Sequence, residues 1–121
     1  MPQPSRKPNS EPVSRPVRRF EDLIAWQKAR ALVKEVYLVS QQGRFARDFG
    51  LASQIQRAAV SSMSNIAEGS EKLSSKEFHL YLGHAKGSNG EVRSDLYAAL
   101  DIGYIDAQQF ERLMAQAEEV A

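Results

Sequence analysis

Residues 54–78, QIQRAAVSSMSNIAEGSEKLSSKEF, decide the fold of this chain because they hold the end of one helix, a short polar turn and the start of another. Ser74 and Glu77 have the spacing of a capping box, in which the serine hydroxyl accepts from the Glu77 amide and the Glu77 side chain reaches back. Leu73 before the cap and Phe78 after it predict a hydrophobic staple at the same boundary. The stretch therefore predicts a tight corner between two helices.

Several polar side chains near this corner fall on or beside the apolar stripes of the two helices. Asn65 and Glu68 lie near the end of the first helix, and Ser88 and Glu91 lie near the inward side of the next. Polar groups in such places need partners in the fold, in another subunit or in a ligand. Together with Gly69, which we expect to end its helix in a left-handed cap, they are predicted to be structural or interface residues.

The helical period extends over most of the chain. Apolar residues recur at three- and four-residue steps in the segments 20–42, 51–67, 78–100 and 110–120. Asp106 and Gln109 repeat the capping pattern, whereas Gly43 to Asp48 is expected to be a polar connection. No segment alternates with period two, and short connections favour antiparallel neighbours. The sequence predicts an all-α fold, an antiparallel up-down-up-down four-helix bundle over residues 20–121.

Residues 1–19 differ from the rest in composition. They hold all five prolines and carry five basic residues against one acidic residue, whereas the remainder has 11 basic and 14 acidic residues. The net charges are therefore +4 and −3. We expect a disordered basic arm. Because polyanion binding needs a concentrated positive face, Arg15, Arg18 and Arg19 are the candidate contacts to nucleic acid.

Three glycines interrupt the long helix predicted after the corner. Gly83, Gly87 and Gly90 each cost about 1 kcal/mol relative to alanine in a helix interior. With Ser94 they fall close to one face, which predicts a flat strip suited to close approach. The strip would pack against another helix, within the bundle or across a subunit interface, or it would admit the backbone of a ligand.

The titratable residues do not form a recognisable reaction centre. Di-metal bundles use a Glu-x-x-His pair, whereas Glu77 and His79 are two residues apart and His84 precedes Glu91 by seven. Neither histidine has a nucleophile in a recognisable arrangement, and no glycine-rich phosphate loop follows a strand. We therefore expect no enzymatic activity, no metal, no cofactor and no small-molecule substrate.

The sequence bears on the cellular compartment only through the features that it lacks. The absence of cysteine excludes disulfides and thiolate metal sites. No apolar run approaches the roughly 18 residues of a membrane span. We expect a cytoplasmic protein without a membrane partner.

Taken in order, the motifs resemble those of a known family over about residues 20–104. The segments that carry the likeness are Phe20-Glu21-Asp22-Leu23, Trp26, Ala29, Gln54-Ile55, Arg57-Ala58, Asn65-Ile66-Ala67-Glu68-Gly69, Glu77-Phe78, Gly87-Ser88, Glu91 and Gly103-Tyr104-Ile105. The chain resembles the four-helix-bundle proteins encoded in bacterial 23S ribosomal RNA intervening sequences, which are related to the accessory variability protein of diversity-generating retroelements.

This resemblance implies an antiparallel bundle that assembles into a ring-shaped homopentamer and has no known enzymatic activity. For the retroelement relatives it also implies binding to a reverse transcriptase and to nucleic acid through a strongly basic surface. The charge of −3 outside the arm departs from that pattern. We therefore expect a homo-oligomeric scaffold or adaptor, with an RNA- or DNA-binding accessory protein as the alternative.

Overall fold

The regular elements of the computed structural model, which describes residues 19–120, are all helical. A 3-10 turn at Phe20–Asp22 precedes α1 (Ile24–Ser40), and the short α2 (Gly43–Arg47) leads into α3 (Phe49–Ser70). Then come α4 (Ser75–Ile102) and α5 (Ala107–Val120). The predicted all-α bundle is confirmed. The predicted arm, apart from Arg19, lies outside the described residues.

The four long helices enclose one core. The helices α3 and α5 each pack against both α1 and α4, which closes a four-sided ring. Ala25 at the start of α1, Ile66 near the end of α3 and Val120 at the end of α5 border one cavity with the first half of α4. The up-down-up-down order stays a prediction, and it would produce this arrangement. Fully buried aliphatic side chains come from every long helix, among them Leu32, Ile55, Leu96 and Leu113.

The predicted caps form at both helix starts. The Ser74 hydroxyl accepts from the Glu77 amide at 3.0 Å, and Asp106 and Gln109 exchange two bonds, of 2.7 Å and 2.9 Å. The prediction of a hydrophobic staple between Leu73 and Phe78 is wrong because Leu73 is fully exposed. The hydrogen bonds of the cap therefore define the start of α4 without apolar contact from Leu73.

The segment from Gly43 to Asp48 is more than the polar connection that its composition predicts. It forms α2, whose Phe45 is fully buried and stacks on Tyr104 with ring centroids 5.2 Å apart. The Tyr104 hydroxyl donates to Asp48 Oδ2 at 2.8 Å, and the Arg44 guanidinium lies 5.3 Å from the Tyr104 ring centre. These contacts join the α1–α3 connection to the turn after α4, and they are too distant in sequence to show as a pattern.

Gly69 does not end α3 in a left-handed cap. The helix continues to Ser70, and among the described glycines only Gly43 and Gly103 have positive φ. A Cβ added at Gly69 would lie 2.8 Å from Tyr81 Cβ. Because atoms in contact are normally at least about 3.5 Å apart, Gly69 is needed for the close approach of α3 and α4 beside their turn.

Candidate functional site

A band of polar side chains lies along the contact between α3 and α4. We call it the polar seam, which consists of Gln54, Arg57, Ser61, Asn65, Ser88, Glu91 and Asp95. The members on each helix are spaced by three or four residues, which places them on neighbouring turns. A cleft of about 200 Å³ opens along the seam. The side chains that line it combine a guanidinium, a carboxylate, a carboxamide and two hydroxyls.

Hydroxyl groups join the two helices at the middle of the seam. The Oγ atoms of Ser61 and Ser88 are 3.0 Å apart. Asn65 Nδ2 donates to the Ser61 carbonyl oxygen at 2.8 Å and to Ser61 Oγ at 3.1 Å. The structure thus brings the predicted residues Asn65 and Ser88 together through Ser61, whose role the many serines of this region concealed.

Asp95 is the buried carboxylate of the seam, with 4% of its surface exposed. Gln54 Nε2 donates to Asp95 Oδ1 at 2.8 Å, whereas Oδ2 has no hydrogen-bond partner among the described residues. Burial raises the pKa of Asp95, the Gln54 bond opposes that shift, and the Glu91 charge adds to it. Sequence reasoning missed Asp95, although its spacing of four from Glu91 and seven from Ser88 places it on the same face.

The prediction that Glu91 lies near the inward side of its helix is wrong, and Glu68, predicted to lie on or beside the apolar stripe of its helix, is not buried either. Both residues are exposed, and neither side chain makes a hydrogen bond or ion pair with the described part of the chain. Arg57, also exposed, borders the cleft with Glu91 but forms no ion pair there. The ion pairs among residues 19–120 lie elsewhere. Within residues 19–120, therefore, no ion pair neutralises these three charges.

The predicted glycine strip of Gly83, Gly87, Gly90 and Ser94 lies on the outer face of α4. A Cβ added at Gly83 or Gly87 would meet nothing within 4 Å, and one at Gly90 would meet only the end of the Arg93 side chain. Ser94 is exposed. The prediction that another helix of the same bundle packs on this strip is therefore wrong. The subunit interface and the ligand surface remain predictions.

Of the three predicted nucleic-acid contacts, the structure describes only Arg19. Arg19 is exposed, and its Nε lies 3.9 Å from Glu21 Oε1. Arg15 and Arg18 lie outside the described residues. Within residues 19–120, no three acidic or histidine side chains come together as a metal site would require, and no helix has the length and apolar character needed to cross a bilayer.

These features define an all-α bundle with a polar seam and an uncovered face on α4. The chain belongs to the 23S rRNA-intervening sequence protein family, whose model matches residues 21–121, and the resemblance is confirmed. It is also similar to the crystal structure of a protein of unknown function from the S23 ribosomal protein family of Bacteroides thetaiotaomicron. The identity is 21% and the TM-score 0.74, covering 80% of this chain and 91% of that one. No curated protein matches this chain.

Proposed function

We propose that the chain is a non-enzymatic homo-oligomeric bundle that acts as a scaffold or adaptor, with the outer face of α4 as a subunit contact. The observation that carries this proposal is the uncovered glycine strip. Three glycines inside one helix cost about 3 kcal/mol relative to alanine, and no described side chain packs on Gly83 or Gly87. A second copy packed on the strip would offset that cost.

The ends of the strip support the same contact. Leu80 and Tyr97 lie on the outer face of α4 at either end of the strip, and each has 56% of its surface exposed. They are separated by about 25 Å along the helix. The Tyr97 ring is held against Phe110, with centroids 5.0 Å apart. Two apolar anchors flanking small residues suit close packing of another helix, because the anchors bury area where the backbones approach.

The polar seam supplies a rim for such a contact. Glu91 and Arg57 carry opposite charges in one cleft, next to the strip, and Glu68 lies exposed on α3. Subunit interfaces commonly surround an apolar centre with polar residues. A ring of five subunits is the assembly that the family resemblance favours.

The mass of the intact protein, measured by light scattering during size-exclusion chromatography, tests the assembly. A pentamer has five times the 13.5 kDa mass of the chain. Gly87→Arg should disperse it by placing a long charged side chain on the strip. Ala115→Arg adds the same group at an exposed position of α5 and should leave the assembly intact. A strictly monomeric wild type at micromolar concentration contradicts the proposal, and an unaffected Gly87→Arg assembly removes the strip from it.

We propose RNA or DNA binding as the alternative function, favoured by the +4 charge of residues 1–19 and by the name of the family. A ring would multiply the arms and so raise the affinity for a polyanion. Binding should be weak, salt-sensitive and dependent on the arm, as fluorescence anisotropy with labelled RNA and DNA would measure. Tight binding at physiological salt by a chain that begins at Arg19 would contradict the role of the arm and would show that the helical body has a basic binding face. The absence of binding by the full chain at low salt would contradict the alternative itself.

A further inference from the structure

The outer face of α1 carries residues with the spacing of a coiled-coil seam. They follow one another by three and four residues, and we call them the α1 stripe, which consists of Ile24, Gln27, Ala31, Lys34 and Leu38. The apolar members recur every seventh residue, the pattern with which two helices pack side by side. The two large ones, Ile24 and Leu38, have 64% and 46% of their surface exposed. Because all five residues are exposed, no described helix covers the stripe.

The outer face of α4 has the same spacing. Leu80 and the glycine strip, which ends at Ser94, also follow one another by three and four residues. The two sets therefore pair one to one when the helices lie parallel, beginning with Ile24 beside Leu80. The two polar members of the α1 stripe would lie opposite glycines, which leave room for long side chains because they lack a Cβ.

The two faces are placed so that one subunit can use both of them. Ala25 in the first turn of α1 and Leu82 near the start of α4 border the same cavity, so both helices begin at the same end of the bundle. Since α3 and α5 lie between α1 and α4, the two faces lie on different sides of the subunit. Copies that stand side by side can therefore join α1 to α4 in parallel, without a large shift along the bundle.

The charges beside the two faces are complementary in this register. In a parallel pair of helices with a seven-residue repeat, residues at the edges of the seam form ion pairs across it. The pairing above brings Arg30 of one copy beside Glu91 of its neighbour, and Glu35 of the first copy beside Lys86 of the neighbour. Arg30, Lys86 and Glu91 are exposed and form no ion pair among residues 19–120. Glu35 Oε1 lies 3.5 Å from Arg112 Nη2.

We propose that the α1 stripe of one copy packs in parallel on the outer face of α4 of the next copy, so that the homo-oligomer is built head to tail. This inference rests on the homo-oligomeric function proposed above and adds the second surface of the contact. Contacts between two different faces close into a ring when the rotation between copies fits a whole number of copies. A symmetric contact of α4 with α4 of a second copy would instead leave the α1 stripe exposed.

The variant Ala31→Arg of the full chain tests the α1 half of the contact. Arginine is a good helix former and Ala31 is exposed, so circular dichroism should show a folded subunit. A long charged side chain in the middle of the stripe should raise the dissociation constant of the assembly at least tenfold. Light scattering over a range of protein concentrations measures this constant. Ala115→Arg, on the exposed face of α5, is the matched control and should leave the constant unchanged.

Disulfide cross-linking tests which faces meet, because the chain has no cysteine of its own. Ala31→Cys and Gly87→Cys proteins of different tag lengths are mixed at low concentration, concentrated and oxidised. They should form a linked dimer that contains one copy of each, and neither variant should link to itself. A mixture of Ala31→Cys with Ala115→Cys is the control and should stay unlinked.

Three results would overturn the head-to-tail contact in a protein that assembles: an unchanged dissociation constant in Ala31→Arg, the absence of the mixed dimer, or linkage of Gly87→Cys to itself in its place. The last result would show the symmetric contact of α4 with α4. Each of these leaves the homo-oligomer proposal standing. A monomeric wild type would overturn that proposal and the head-to-tail contact together, so the mass of the wild type separates the two failures.

Discussion

Replacing Gly69 by alanine should destabilise the bundle, although alanine is the better helix former. The added Cβ would lie 2.8 Å from Tyr81 Cβ and 3.4 Å from Phe78 Cδ1. The Tyr81 atom is fixed to its backbone, so a change of rotamer cannot move it away. To reach an ordinary contact of about 3.5 Å, α3 and α4 must move apart locally by roughly 0.7 Å.

The size of the effect follows from two opposing contributions. Overpacking of this kind typically costs 1–3 kcal/mol. The gain in helix propensity is about 1 kcal/mol in a helix interior and smaller here, because Gly69 is the next-to-last residue of α3. We expect Gly69→Ala to lower the free energy of unfolding by about 1–2 kcal/mol.

Gly83→Ala is the matched control because it makes the same change in an open position. Its added Cβ would meet nothing within 4 Å, so the gain in helix propensity, about 0.5–1 kcal/mol, should appear as increased stability. Urea unfolding followed by circular dichroism measures both variants. The measurement is repeated over a range of protein concentrations, because assembly contributes to apparent stability.

Opposite signs for the two variants are the expected result. A Gly69→Ala protein as stable as the wild type would refute the close-approach explanation for this glycine. Loss of assembly in Gly83→Ala, together with a more stable subunit, would support the strip as an interface. Loss of stability in the dissociated Gly83→Ala subunit would show that the strip is packed within the chain.

Three further substitutions test other contacts. The Leu51 amide and the Tyr104 hydroxyl lower the pKa of Asp48. These two bonds therefore stabilise the fold above the unfolded pKa of about 3.9, and that stabilisation is lost as pH falls through the folded pKa. Tyr104→Phe should make the loss of stability in acid smaller, as urea titrations at several pH values would measure. Burial raises the pKa of Asp95, so the folded state favours the protonated carboxyl. The wild type should therefore lose stability as pH rises from about 4. Asp95→Asn should be more stable than the wild type at pH 7, and its free energy of unfolding should change less with pH. Asp106→Ala removes a 2.7 Å cap bond of α5 and should cost about 0.5–2 kcal/mol in the same assay; an unchanged midpoint would show that α5 does not need this cap.

The fold was largely predictable because its signals are local. Helical periodicity and the caps at Ser74 and Asp106 depend on residues within a few positions of one another, and the structure contains the corresponding helices. The errors occurred where distant residues decide the outcome. Phe45 turns a polar connection into a short helix by packing on Tyr104, and Leu73 has the spacing of a staple but not the contact.

The candidate site was predictable only in part, because a helical stripe gives the face of a residue but not the position of its neighbours. Asn65 and Ser88 were identified from their place beside the apolar stripes, and they meet through Ser61. Glu68 was also identified, yet it faces solvent. Asp95 was missed because carboxylates at that edge of a stripe are usually exposed, and only the packing of α3 on α4 buries this one.

The sequence by itself determined that the chain is helical, where α4 and α5 begin and to which family it belongs, because these depend on short-range patterns and on motifs in order. The tertiary structure decided which glycines are needed for packing. The sequence predicted close packing at Gly83 and a helix cap at Gly69. In the structure a Cβ added at Gly69 would lie 2.8 Å from Tyr81 Cβ, whereas one added at Gly83 would meet nothing within 4 Å. The physical reason is that a missing Cβ matters only where another backbone approaches, and that distance is set by helices far apart in the chain.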